Sequence, residues 1–354
     1  MTAMTTTTAA PTAPAAAAGV GAGRAAAARE PVLLAVRNLG VDYPTARGVV
    51  HAVDGPSFDV ERGEIVALVG ESGCGKSATA LAILRLIAAP GRIVSGEVLL
   101  EGRDLLQLPE AAMQAVRGQH AAMVFQEPMS SLNPVQRIGA QVAEPLLQHR
   151  HADARGAWQR AVDLLRRVNI PAPELRLRDY PHHFSGGMRQ RVMMAMAMAC
   201  GPRLLVADEP TTALDVTVQA QVLELLQTEV REHRTGLLLI THNLGVVARY
   251  ADRVNVMYGG RIVESATGDD LYDQPLHPYT IGLLASVPRL DQPMAQRLQP
   301  IDGQPYDPLR RPRGCAFHPR CPHVMARCRE AVPPVTTAST GHRVACWLYA
   351  GANA

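Results

Sequence analysis

The hydrophobic pattern changes its period several times along the chain. Residues 32–37 (VLLAVR) and 57–60 (SFDV) carry strand-type patterning, with a turn-rich segment around Tyr43-Pro44 between them. Residues 65–69 form an unbroken apolar run that stops at Gly70, which predicts a buried strand. From Ser77 to Ala89 the apolar positions Leu81, Leu84 and Ile87 fall at helical spacing. Between about Leu105 and Tyr180 the pattern is that of surface helices. Ala157-Trp158, Ala161, Leu165 and Val168 recur among Arg and Gln, which predicts a helical subdomain inserted into an α/β core. After Ser185 the alternation resumes, with strands expected at 204–207, 237–240 and 254–257 and a helix at 218–232. Such alternation predicts a largely parallel sheet covered by helices. From about His277 the period fades into Pro, Arg and Cys, which predicts a separate appendage ordered by something other than a hydrophobic core.

Composition narrows this picture. The 354 residues suffice for one large domain or two ordinary ones, and 47% hydrophobic content can bury a sizeable core. A net charge of +3 argues against a nucleic-acid protein held by a broad basic field. No run of apolar residues is long enough to span a bilayer, so at a membrane the chain is expected to dock onto another subunit. The Ala/Thr-rich residues 1–30 lack the basic start and Leu/Val-rich centre of a secretory signal, and are expected to be a disordered tail or an over-long start. Of the 35 basic residues, Lys76 is the one lysine. A chain that uses Arg everywhere else keeps Lys where a compact ammonium is needed rather than a planar fork.

Lys76 sits in Gly70-Glu71-Ser72-Gly73-Cys74-Gly75-Lys76-Ser77, which fits G-x-x-x-x-G-K-[ST] between an expected strand and an expected helix running on through Ala78. Backbone N–H groups in such a loop curl around phosphate oxygens, and the following helix adds its positive end. Lys76 would reach the β- and γ-phosphates, and the Ser77 hydroxyl would ligate Mg²⁺. Cys74 has two readings: a small residue where Ser would also fit, which is favoured, or a thiol whose pKa is lowered by Lys76 and the helix start. Downstream, Leu204-Leu205-Val206-Ala207-Asp208-Glu209 is an apolar strand ending in two carboxylates. Asp208 would hold Mg²⁺ and Glu209 would polarise the attacking water.

The stretch Phe184-Ser185-Gly186-Gly187-Met188-Arg189-Gln190-Arg191 resembles the signature of ABC ATPases, and it precedes the acid pair at that family's usual interval. Its Gly-Gly step before a helix makes a second anion-binding terminus. Met188 stands where many members carry Gln, while Ser185, Gly186 and Gly187 still supply donors. The resemblance covers roughly residues 32–349 and implies roles for further positions. Gln126 matches the loop glutamine that senses Mg²⁺, Asp215 in Ala213-Leu214-Asp215 matches the dimer-facing loop, and His242 matches the switch histidine that holds the γ-phosphate and water. Tyr43 is the candidate aromatic for stacking on adenine. The implied fold is an α/β P-loop NTPase of the ABC type: a RecA-like core, an antiparallel β subdomain and a helical signature subdomain. Residues 31–276 would form the ATPase domain, with about 105–185 as the helical subdomain, and 277–354 a Cys-rich C-terminal region. The second phosphate site makes sense if two ATPase domains pair head to tail, each lending its signature to the other's ATP.

Several segments resemble the dipeptide/oligopeptide importer ATPases in particular: residues 126–134 (QEPMSSLNP), 277–280 (HPYT), 283–288 (LLASVP) and 314–322 (GCAFHPRCP). In that branch a second ATPase, expected to be a paralogue, pairs with the first beneath two permease subunits at the cytoplasmic face of the plasma membrane. A periplasmic or lipid-anchored binding protein delivers substrate. A nickel-importing ATPase of the same branch and a non-transport soluble ABC ATPase are the alternatives. Four of the six cysteines, Cys315, Cys321, Cys328 and Cys346, lie in the tail with the spacing C-x5-C-x6-C-x17-C. A reducing compartment disfavours disulfides. The spacing lacks the tight knuckle of common zinc sites and could suit an iron–sulfur cluster, with zinc and free structural thiols as the other readings. The resemblance implies a [4Fe–4S] cluster.

Overall fold

The computed structural model describes residues 32–127, 131–212, 214–286 and 300–351. The expected disordered start at 1–30, residues 128–130 and 287–288 of the peptide-importer segments, and Ala213 lie outside the described residues.

The core is a sheet in the order β12 (Thr336–Ser339), β13 (His342–Val344), β11 (Arg261–Thr267), β10 (Arg253–Tyr258), β4 (Ile65–Val69), β9 (Gly236–Thr241), β8 (Leu204–Asp208), β7 (Ala121–Val124). Strands β10, β4, β9, β8 and the edge strand β7 all run parallel. All five residues of β4, all five of β8 and all six of β9 are buried, as a parallel sheet covered on both faces requires. β11 (Arg261–Thr267) turns back antiparallel on β10. The second sheet is antiparallel: β1 (Val32–Thr45) pairs with β2 (Gly48–Asp54), β3 (Phe58–Glu61) and β5 (Arg92–Leu100), and β5 with β6 (Arg103–Asp104). Helix α1 (Lys76–Ile83) and α2 (Glu110–Val116) share a hydrophobic cluster with that sheet and one face of the core sheet. On the other face pack α3 (Ile138–Gln148), α4 (Ala154–Arg167), the short α5 (Pro173–Arg176), α6 (Gly186–Met198) and α7 (Val216–His233).

The structure departs from the hydrophobic pattern in several places. Tyr43 and Pro44 lie inside β1, paired with Val50 and Val49, rather than in a turn. Helix α1 ends at Ile83, and Arg85 just beyond adopts φ 53°. Strand β5 was not anticipated, because Arg92, Ser95 and Gly96 interrupt its apolar alternation. The helical insertion begins at α3; α2 and β7 before it belong to the core.

The tail is also not an appendage. Helix α8 (Leu244–Tyr250) leads into β10, and α9 (Gly268–Asp273) and α10 (Pro278–Ala285) follow β11. Beyond the short α11 (Ala326–Glu330), β12 (Thr336–Ser339) and β13 (His342–Val344) extend the core sheet, Val344 pairing with Glu264. Tyr279 and Phe317 are buried beside Val256 and Tyr258 of the sheet. No described helix is long and apolar enough to cross a membrane.

Candidate functional site

The loop 70–75 leaves β4 and enters α1 at Lys76. Gly75 precedes the helix at φ 106°, and a Cβ there would stand 2.3 Å from the carbonyl oxygen of Ala52. Only glycine satisfies both the left-handed turn and the close approach. The Lys76 ammonium donates to the carbonyl oxygens of Gly70 at 2.8 Å and Glu71 at 3.0 Å, so its charge is held inside the loop, where a phosphate oxygen could replace them. Cys74 is buried, and burial pushes its thiol pKa up despite Lys76 nearby. The lowered-pKa reading of Cys74 is therefore reversed, because desolvation outweighs the neighbouring charge.

At the C-terminal end of β8, Asp208 accepts from the Ser77 hydroxyl at 3.1 Å. Burial pushes the Asp208 pKa up, only partly offset by that hydrogen bond. A desolvated carboxylate beside a hydroxyl oxygen is a donor set that suits a hard divalent cation, which would restore the charged form. Glu209 follows at φ 47°, a region costly for a residue with a Cβ, and its N–H is locked onto the Ile240 carbonyl at 2.9 Å. Three segments converge on its carboxylate. Gln126 Nε2 donates to Oε2 at 3.2 Å and Thr212 Oγ1 donates to the same oxygen at 2.9 Å, while His242 Nδ1 lies 3.2 Å from Oε1. The structure thus brings together Lys76, Ser77, Asp208, Glu209, Gln126 and His242, which are scattered over more than 160 residues of sequence.

The remaining candidates lie elsewhere. Ser185 caps α6, its hydroxyl accepting from Met188 N at 3.3 Å. Gly187 in the first turn of α6 abuts α7: a Cβ there would meet Val218 Cγ1 at 2.7 Å. Asp215 caps α7, accepting from Val218 N at 3.0 Å. The starts of α6 and α7, at Ser185 and Asp215, are therefore adjacent to each other and separate in the chain from the phosphate loop. Tyr43 is half-buried with its ring edge over Gly91.

The four tail cysteines and His277 line one small cavity. Burial, with the other cysteines adding to it, raises the thiol pKa values of Cys315 and Cys321, and that of Cys346 to about 11. His277 is 1% exposed; its Nδ1 accepts from Tyr279 N at 3.1 Å, while Nε2 has no partner. Among the described residues no three His, Cys, Asp or Glu side chains are spaced to hold a single metal ion.

Sequence reasoning did not find Thr212, and it placed Tyr279 and Arg320 only within the 277–280 and 314–322 segments, with no role at the phosphate loop. Glu71 of the phosphate loop is held by Arg320 through both carboxylate oxygens, at 2.7 and 3.1 Å, and its N–H donates to Tyr279 Oη at 2.8 Å. The two segments were marked by resemblance, but a contact across 249 residues gave no sign that they reach the phosphate loop.

A strand–loop–helix phosphate cradle, a carboxylate pair at the end of β8 in the same parallel sheet and a separate glycine-led helix define a nucleotide-hydrolysing cassette. The ABC transporter family matches residues 53–212, and the C-terminal region of oligopeptide/dipeptide transporters matches 263–328. The dipeptide transport ATP-binding protein DppD of Bacillus subtilis is 49% identical over 317 residues, 89% of this chain and 94% of its own. The oligopeptide transport ATP-binding protein OppD of Salmonella typhimurium is 49% identical over 316 residues, 89% of this chain and 93% of its own. Among solved structures, the dimeric bacterial ABC transporter cassette MJ0796 superposes with a TM-score of 0.60 at 25% identity, covering 66% of this chain and 98% of its own. The chain belongs to the ABC transporter ATP-binding proteins, in their oligopeptide/dipeptide branch. As such it is an ATP-binding ATPase component of a membrane transporter.

Proposed function

We propose that this chain hydrolyses ATP to energise the import of dipeptides or oligopeptides, as one of two ATPase subunits docked beneath two permeases at the cytoplasmic face of the membrane. The second ATPase is a paralogue, and a substrate-binding protein delivers the peptide. The observation that carries the chemistry is Glu209, fixed at φ 47° and ringed by Gln126, Thr212 and His242.

The phosphate loop from Gly70 to Ala78 holds the triphosphate, and Lys76 exchanges its two carbonyl partners for phosphate oxygens. Ser77, Asp208 and Gln126 would hold Mg²⁺, which when bound neutralises charge on the phosphates. Glu209 takes the proton of the attacking water, and His242 holds that water and the γ-phosphate. Gln126 and His242 touch Glu209 from opposite oxygens, so both leave the carboxylate as water and phosphate arrive. Tyr43 lies on the adenine side. Ser185, Gly186, Gly187 and Asp215 face the partner's nucleotide, an arrangement supported by the dimeric cassette that this chain resembles.

The cysteine cavity fits a [4Fe–4S] cluster better than a zinc ion. Four thiols line it beside the unpartnered His277 Nε2, and their sequence spacing lacks the tight knuckle of common zinc sites. When bound, the cluster would cross-link residues 315–346, and the four cysteines would be thiolates.

Uptake of labelled di- and oligopeptides and of nickel, in cells carrying wild type or Glu209→Gln, tests the reading. Glu209→Gln should abolish peptide uptake and lower ATP turnover by about 100-fold or more, a typical loss for a general base. Loss of nickel uptake alone would place the chain in the metal-importing sub-branch. Unchanged uptake of both would overturn the transport assignment.

A further inference from the structure

Glu71 is an acidic side chain inside a loop that must receive a triphosphate. Left bare, its carboxylate would repel that ligand across a few ångströms of partly desolvated space. The structure supplies a counter-charge from the far end of the chain. Arg320 grips both Glu71 oxygens, at 2.7 and 3.1 Å, with a side chain only 4% exposed. Its own position is over-determined: Nε donates to Asp302 O at 3.1 Å, Nη2 to Ile301 O at 3.3 Å, and the guanidinium lies 6.0 Å from the ring centroids of both Tyr258 and Phe317. Tyr279, also from the C-terminal region, accepts the Glu71 N–H at 2.8 Å. Glu71 O in turn accepts from Lys76 at 3.0 Å. One loop residue is thus fixed through its carboxylate, its N–H and its carbonyl, twice by the tail and once by the phosphate-binding lysine.

We propose that Arg320, aided by Tyr279, is a positioning residue of the ATP site: it neutralises Glu71 and holds the phosphate loop open to anions, so that the C-terminal region sets the ATP affinity. Arg320 immediately precedes Cys321, so the segment that forms the cysteine cavity also carries the arginine that grips the loop. The two parallel N–H···O contacts make a bidentate, charge-assisted pair, the strong form of an arginine–carboxylate interaction. The proposal rests on the reading that this loop binds ATP, and goes beyond it in assigning control of that binding to the tail.

The test is ATP binding and steady-state hydrolysis by the purified transporter complex carrying Arg320→Met, Arg320→Lys or Glu71→Gln/Arg320→Met. Arg320→Met should weaken ATP binding roughly tenfold, as expected for one uncompensated charge beside the phosphates. KM should rise by a similar factor while kcat at saturating ATP changes little. The deficit should shrink as salt screens the bare carboxylate. The double variant should recover at least half of the loss, because the repelling charge is gone. Arg320→Lys should fall between wild type and Arg320→Met, since an ammonium keeps the charge without the fork. If Arg320→Met fails to fold, Arg320→Lys with and without Glu71→Gln carries the same comparison. Wild-type affinity in Arg320→Met, or a double variant as weak as the single, would overturn the proposal. Failure of the wild-type complex to bind ATP would instead overturn the function proposed for the loop.

Discussion

Lys76 shows how much one side chain can carry. Every other basic position in this chain is arginine, yet here the ammonium is buried and donates to two loop carbonyls, at 2.8 and 3.0 Å. The space is that of a point donor between backbone oxygens, and a planar guanidinium would reach past them or push the loop apart. Lys76→Arg keeps the charge and loses the shape. It should weaken ATP binding by about 10–100-fold, roughly 1.4–2.7 kcal/mol, with the melting temperature of the ligand-free protein little changed. Calorimetric titration with MgATP checks this; undiminished binding would mean that charge alone is needed. Lys76 was legible in the sequence because the loop pattern is contiguous and the composition isolates it. Glu209 was legible as one of an acid pair, but its left-handed backbone and its contact with Thr212 were not, since both depend on strand ends meeting in space.

At the scale of elements, the C-terminal region is where the pattern misled. Pro, Arg and Cys dilute its periodicity, yet Tyr279, Phe317 and Val344 are buried and two strands extend the core sheet. Glu264 on β11 explains the attachment. Its carboxylate is 1% exposed and accepts from Leu276 N at 2.7 Å and His277 N at 2.9 Å, with His342 Nε2 at 2.8 Å. One buried acid therefore joins the sheet, the turn before α10 and the start of β13. Nothing in the sequence around Glu264 marks it, because its partners arrive from 12, 13 and 78 residues away. Glu264→Ala leaves two N–H groups and an imidazole without their acceptor in a dry interior. The expected cost is about 3–5 kcal/mol, built from roughly 1–3 kcal/mol for each buried donor left without an acceptor. Urea denaturation should show the loss, and limited proteolysis should cut first within residues 300–351. A stability change below about 1 kcal/mol would mean that water replaces the carboxylate and that the tail is held by its apolar contacts alone.

For the whole molecule, the function proposed above raises the question of why one chain carries two glycine-led helix starts that share no element. The loop entering α1 has Lys76, Ser77 and the acid pair beside it; the start of α6 has Ser185 and two glycines, with Gly187 packed against α7. If each serves a different nucleotide, damage to one should spare binding at the other. Gly187→Val tests this, because a Cβ at that position already meets Val218 Cγ1 at 2.7 Å and a branched side chain must displace the first turn of α6. In the assembled transporter, photolabelling of this chain by an azido-ATP should persist in Gly187→Val while ATP hydrolysis falls at least about tenfold, the loss expected when a helix-terminus anion site is misplaced. Lys76→Ala should do the reverse at its own loop and abolish labelling of this chain. If Gly187→Val also lost its label, the two helix starts would have to act on one nucleotide, and the head-to-tail pairing of ATPase subunits would be wrong.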